Sequence, residues 1–247
     1  MARPVLYHDP TSEPSRAVHW FALEAGIEID IRHTWLVRGD HRAPEFLAVN
    51  PRHQVPAMKH GEFCLAEASA MMVYLAEIND VDERWVGSSP QDRAKTLQIM
   101  SWHHSNTRSA ITLNYFLPVL LMPAYKGILP PDAATCRQLR GAGMESLEKL
   151  DRILTERGEF LGGITPSIAD LFIAPDVFAL DIDPAQDDWF SGFPAVRKWL
   201  AALREREGYK TSHAKWNKIV PRLQDLLKSE SVEQSNPGWV ADFLEGE

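Results

Sequence analysis

The chain has 247 residues, 45% of them hydrophobic, and a formal net charge of -8 at pH 7, which suits one large domain or two small ones around a real core. The acidic balance and the absence of any Lys/Arg run argue against a nucleic-acid partner, and no uninterrupted apolar stretch reaches bilayer length, so no membrane span is expected. Two cysteines, Cys64 and Cys136, make no disulfide framework, and "MARPVLYHDP" lacks an apolar secretory core, which together predict a reduced, cytoplasmic protein.

"RPVLYH" (3–8) reads as a short first strand. A helix follows in "DPTSEPSRAVHWFALEAG", where Pro14 suits the first turn and Ala17, Val18, Phe21, Ala22 and Ala25 recur at helical spacing up to Gly26. Ile27, Ile29 and Ile31 alternate, as a strand does. "APEFLAVNP" reads as a helical turn or loop ended by Asn50-Pro51. "VPAMKHGEFCLA" is a hairpin joined through His60-Gly61, and a helix follows from about Ala68 to Ile78. "DVDERWVGSSPQD" (80–92) is polar and reads as a linker. Beyond it no strand pattern stands out. Gln91–Leu121 is a long helical stretch closed by Pro118 and Pro123, and Asp132–Glu156 is another with Leu147, Leu150 and Leu154 on one face. Ser167-Ile168-Ala169-Asp170 is a capping box with Ile164 as its staple. Ala195–Glu205 and Tyr209–Asn217 read as short helices, and the polar tail carries Trp239, Val240, Phe243 and Leu244. The fold class is therefore α/β plus all-α, with an α/β domain over 1–80 and a helical domain over 90–247.

The residue types suggest where chemistry resides. Glu67 stands where a strand hands over to a helix, and a helix N-terminus attracts anions through its free N–H groups and its dipole. Ser12 stands just before another helix start, as either a cap or an activating hydroxyl. His41 alone reads as a surface histidine, and Arg108 as a surface salt-bridge residue or a site residue. His103 and His104 are adjacent rather than four apart, so they make no convincing metal pair.

"NPRHQVPAM", "GEFCLAEASAMMVYLA" and "SIADLFIA", in this order, resemble a cytosolic glutathione transferase over essentially the whole chain. "YHDPTSEPSRAV" and "WHHSNTR" resemble the theta-like branch, in which a serine activates the thiol. The resemblance implies a thioredoxin-like N-terminal domain, a C-terminal helical bundle domain, and a cis Val55-Pro56 bond, although an X-Pro bond is ordinarily trans. It implies that glutathione is the co-substrate, with no other cofactor and no metal, and that the second substrate is a small apolar electrophile. Ser12 would be the catalytic hydroxyl, with Arg108 reaching towards the thiol. His41, Gln54, Val55, Pro56, Glu67 and Ala68 would hold glutathione. A homodimer is implied, as is a C-terminal extension, residues 236–247, over the active site. Two residues depart from the family pattern: Ala68 replaces a serine, and Gln54 replaces the commoner lysine. These departures leave room for a non-catalytic binding or scaffold protein of the same fold. Tyr7 is the rival thiol donor, but its five-residue gap to Ser12 matches the serine branch, where this tyrosine is structural.

Overall fold

The structure, a computed structural model, describes residues 2–185, 189–229 and 239–245. Strands β1 (Val5–His8), β2 (Asp30–His33), β3 (Ala57–His60) and β4 (Phe63–Ala66) form one sheet in the order β2-β1-β3-β4. β1 pairs parallel with β2 and antiparallel with β3, and β3 pairs antiparallel with β4. Helix α1 (Glu13–Glu24) makes the parallel crossover, α2 (Pro44–Leu47) is a single turn, and α3 (Ala68–Ile78) follows the hairpin. This is the thioredoxin-like arrangement with a mixed sheet. β2 begins later than the Ile27–Ile31 alternation predicts, because the Ile27 N–H closes the end of α1 on the Ala22 carbonyl at 2.8 Å. Gly61 turns the hairpin at φ 59°, a left-handed conformation that glycine adopts without cost.

The rest of the described chain is helical. α4 spans Pro90–Ser105 and stops at Asn106, whose backbone (φ -118°, ψ -90°) leaves the helical region. A π-wound segment, Arg108–Leu121, continues to α5 (Met122–Lys126). The stretch is thus not the one helix closed by Pro118 that the sequence predicts. Pro118 lies inside the π-wound segment, and burial of Ile111, Tyr115, Phe116, Leu120 and Leu121 outweighs the lost backbone bond. α6 (Ala133–Arg157) is capped by the Asp132 carboxylate, which accepts from the N–H groups of Ala134 and Thr135. α7 (Ile168–Phe178) is buried over its whole length. Later helices run Pro194–Arg204, Glu207–Ser212, Ala214–Lys228 and Trp239–Glu245. The predicted short helix Tyr209–Asn217 is thus two helices, and the second continues through Pro221 because Trp216, Ile219 and Leu223 bury one face.

One core cluster joins both halves of the fold. α1 is the hinge of this packing. Its Trp20 ring meets Phe178, Tyr209 and His213 of the helical domain, and its Phe21 meets Trp85. The face of α1 opposite the sheet is therefore covered by the second domain, and the N-terminus of α1 opens at the seam between them.

The capping box at α7 is present, but Ile164 is 90% exposed and staples nothing. Asp170 does more than cap. Its carboxylate accepts from the N–H groups of Leu161, Gly162 and Ser167, and from the Trp199 indole at 2.8 Å. Burial nevertheless raises its pKa above the usual carboxylate value. Asp170→Ala strands these buried donors and is expected to lower the unfolding free energy by about 3–5 kcal/mol. Urea unfolding followed by tryptophan fluorescence measures this, and a loss below about 1 kcal/mol would contradict it.

Candidate active site

A cavity of about 440 Å³ opens at this seam. Its α/β side is built from Thr11, Ser12, Glu13 and Pro14 at the start of α1, from Gln54, Val55 and Pro56 before β3, and from Glu67 and Ala68 at the start of α3. Its helical side is built from His104 and Arg108, from Leu117, Leu121 and Met122, and from Phe172 of α7. Tyr125 and Lys126 also line it.

Ser12 is the N-cap residue of α1 with extended backbone (φ -82°, ψ 122°), yet its side chain makes no cap hydrogen bond. Its hydroxyl is thus free to serve a ligand beside the first turn of the helix. The Val55-Pro56 bond is cis. Glu67 adopts φ 70°, a left-handed conformation costing roughly 1–3 kcal/mol in a residue with a Cβ. That backbone turns the chain from β4 into α3, and both Glu67 and Ala68 line the cavity. Glu67 Oε1 accepts from Arg52 at 2.9 Å on the open side.

Arg108 is held from behind. Its guanidinium donates to Asp176 Oδ1 at 2.7 Å, and His103 Nε2 meets Asp176 Oδ2 at 3.0 Å. The Thr112 hydroxyl donates to Asp176 Oδ1 as well. Burial pushes the Asp176 carboxyl up, but Arg108 and His103 outweigh it and hold the group far below the usual range. Asp176 is thus held in its ionised form, and its hydrogen bond positions Arg108 at the cavity wall.

The structure therefore brings Ser12, Arg108, Gln54, Val55, Pro56, Glu67 and Ala68 to one cavity. His41 stands outside this set, on the 3-10 turn Asp40–Arg42. Tyr7 is buried in a separate small cluster, with its ring on the Phe46 edge at 5.7 Å and Arg32 over its face. Sequence reasoning missed Thr11, Glu13, Asn50, His53, Tyr125, Lys126 and Asp176. Two of these had a signal. Asp176 is an acid inside an apolar helix, which demands a buried partner, and Glu13 is an acid beside the proposed activating serine.

The C-terminal helix Trp239–Glu245 packs on Ala214–Lys228 and on the 3-10 turn Leu36–Arg38, burying Val240, Ala241 and Leu244. Arg38 pairs with Asp242 at 2.8 Å and Glu245 at 2.7 Å, and the Trp35 indole donates to Glu245. Leu36 and Val37 of this turn line the cavity. Residues 236–238 and 246–247 of the predicted extension lie outside the described residues.

Residues 5–77 match the family model described as glutathione S-transferase, N-terminal domain, and residues 133–202 match the glutathione S-transferase, C-terminal domain model. The chain is 32% identical over 242 residues to human glutathione S-transferase theta-2B, covering 97% of this chain and 96% of that protein. It is 31% identical over 229 residues to dichloromethane dehalogenase of Methylophilus leisingeri, covering 90% and 83%. Its structure is similar to apo human glutathione-S-transferase T1-1, with TM-score 0.81, 25% identity and 98% of both chains covered. It is also similar to human glutathione transferase theta-2 solved in complex with glutathione and an unknown ligand, with TM-score 0.78, 27% identity and coverage of 98% and 97%.

Behind Ser12, β1 and α1 bury imidazoles. His8 and His19 stack edge-on at 5.4 Å, and His8 meets His33 at 6.0 Å. Burial, then the neighbouring His33, lowers the His19 pKa to about 4. A base whose folded pKa is depressed binds fewer protons folded than unfolded, so its neighbourhood loses stability as pH falls below about 6.5. His19→Gln removes that penalty. Between pH 7 and pH 5 the variant is expected to gain about 1–2 kcal/mol relative to the parent. Urea melts of both proteins at the two pH values decide this, and a pH-independent difference would contradict it.

Proposed function

This chain belongs to the glutathione S-transferase family, and from that premise we propose how its cavity performs the transfer. The protein is a transferase with glutathione as co-substrate, and it needs no other cofactor. The observation that carries the site assignment is the Ser12 hydroxyl, unused as a cap, lining the same cavity as Arg108 at the N-terminus of α1.

In this reading glutathione lies along the α/β side. The backbone of Val55, before Pro56, pairs with the cysteinyl residue as a short extra strand would. The N–H of Ala68 and the positive end of α3 receive the γ-glutamyl carboxylate, and Glu67 faces the ammonium side. Ala68 supplies no hydroxyl there, so backbone and dipole carry that contact. Gln54 receives the glycine end, and His41, on the neighbouring turn, acts only at the rim.

The sulfur then lies over Ser12. A free thiol has a pKa of about 8.5, and lowering it by two units takes roughly 2.7 kcal/mol of preferential stabilisation of the anion. One hydroxyl hydrogen bond to an anion supplies about 1.5–3 kcal/mol. The α1 dipole and the Arg108 guanidinium add to it from opposite walls. Leu117, Leu121, Met122 and Phe172 make the other wall apolar, which suits a small apolar electrophile held against the thiolate. The C-terminal helix, tied through Arg38, holds the Leu36–Val37 wall over the site and limits water.

We also propose a cytoplasmic two-fold homodimer, the α/β domain of one subunit facing the helical domain of the other. Phe63 on the edge strand β4 is 48% exposed and packs on Tyr74, and Leu97 on α4 is 47% exposed. An exposed edge strand carrying apolar side chains favours a partner surface. Cys64 and Cys136 are free thiols, in keeping with a reducing compartment. Light scattering at micromolar concentration is expected to give twice 27.9 kDa, and a mass of 27.9 kDa would contradict the dimer.

Ser12→Ala is expected to lower conjugation at neutral pH about tenfold or more while glutathione still binds. The rate–pH profile moves to the alkaline side, because the lost hydrogen bond favoured the anion. An unchanged profile would reject Ser12, and the same shift in Tyr7→Phe alone would assign the role to Tyr7.

A further inference from the structure

Glu13 is the first residue of α1, adjacent to Ser12, and it is 6% exposed. It lines the cavity together with Ser12 and Arg108. A glutamate at a helix N-terminus is ordinarily a solvated acid that interacts with the dipole. Here the helical domain covers it. The groups facing it come from three elements. Arg16 stands one turn on along α1, Arg108 faces it from the π-wound segment, and Asp176 from α7. Its own backbone N–H donates to its carboxylate. The Tyr125 phenol stands near the same charges.

This placement is unusual for a site that must create an anion. A second negative charge beside a thiolate opposes its formation. The conflict disappears if the carboxylate and the sulfur share one proton. We propose that Glu13 is the proton acceptor for the glutathione thiol, an additional catalytic residue that rests on the glutathione-transferase reading of this cavity. The S–H bond breaks, an O–H bond forms on Glu13, and the pair left on sulfur is the nucleophile. Sulfur attacks the electrophilic carbon, the C–S bond forms, and the leaving group departs with its electron pair. The proton on Glu13 passes to water as product leaves.

Three observations support this assignment. Glu13 lines the same cavity as Ser12, whose hydroxyl is proposed to hold the sulfur, and Arg108. Burial first, then the Asp176 charge, raises its pKa above the ordinary carboxylate value and so makes it a stronger base, while Arg108 and Arg16 restrain the rise. Arg108 is already committed to Asp176 through one nitrogen at 2.7 Å, so its charge steadies either holder of the negative charge without removing it.

The test counts protons. Glutathione is titrated calorimetrically into the full-length protein at pH 7 in two buffers of different ionisation enthalpy. The thiolate is followed in parallel by its ultraviolet band. The parent is expected to release close to no proton per thiolate formed, because Glu13 keeps it. Glu13→Gln is expected to release close to one, and in stopped flow its thiolate is expected to appear about tenfold or more slowly, at a rate that now rises with buffer-base concentration. Glu13→Asp is expected to restore much of the parental rate. One proton released per thiolate by the parent would overturn the proposal without recourse to any variant. Equal proton counts and rates in the parent and Glu13→Gln would overturn it too. If glutathione binds and ionises normally in those cases, the transferase reading stands and only the role of Glu13 falls. If no glutathione binds to the parent, both fall.

Discussion

A carboxylate taken out of water must be paired, and Asp176 is paired three ways. Arg108, His103 and Thr112 converge on it from α4 and the π-wound segment, while its own backbone belongs to the fully buried α7. Removing Arg108 leaves the Asp176 charge without its cation in a low-dielectric interior, which costs several kcal/mol where an exposed pair would cost little. The arrangement therefore specifies position more than it adds stability. It fixes the helical wall of the cavity and points one guanidinium at the seam, opposite the first turn of α1.

The α/β side is fixed by a different constraint. The chain from β1 to α1 must turn within a few residues, and Asp9 organises that turn by accepting from Thr11 and from the Leu36 N–H at 2.7 Å. Arg16, fully buried, donates to the Pro10 carbonyl and lies over the Trp216 ring at 4.5 Å. These contacts place Ser12 and Glu13 at the junction, and they tie that junction to a helix of the second domain. The site is thus a product of docking two domains, and neither domain alone holds all its groups. The C-terminal helix extends the same logic, since its acids grip Arg38 and with it the turn that walls the cavity.

Local signals carried much of this arrangement. The helix from Ala68 to Ile78, the hairpin through Gly61 and the Ser167–Asp170 capping box depend on short-range patterns, and the structure has them where the sequence reads them. The break at Asn106 and the passage of helices through Pro118 and Pro221 were not legible. There, apolar burial against distant elements overrides local preference. Ile164 shows the converse, an apolar residue with a local role to play and no neighbour to meet. At the cavity, Ser12, Gln54, Glu67 and Ala68 were reached through the family resemblance of their short motifs, and all four line it. Glu13 and Asp176 carried only a hint, an acid in an unusual place, because their partners are brought near only by the tertiary fold. Asp176 and Arg108, for instance, lie 68 positions apart.

In the proposed mechanism the seam ionises a bound thiol, with Ser12, the start of α1 and Arg108 supplying the stabilisation. The most direct measurement is a spectroscopic pH titration of the thiolate band of glutathione bound to the unmodified protein. The expected midpoint lies at least about one unit below the value near 8.5 of a free thiol. Bound glutathione that titrates at the free-thiol value would contradict it.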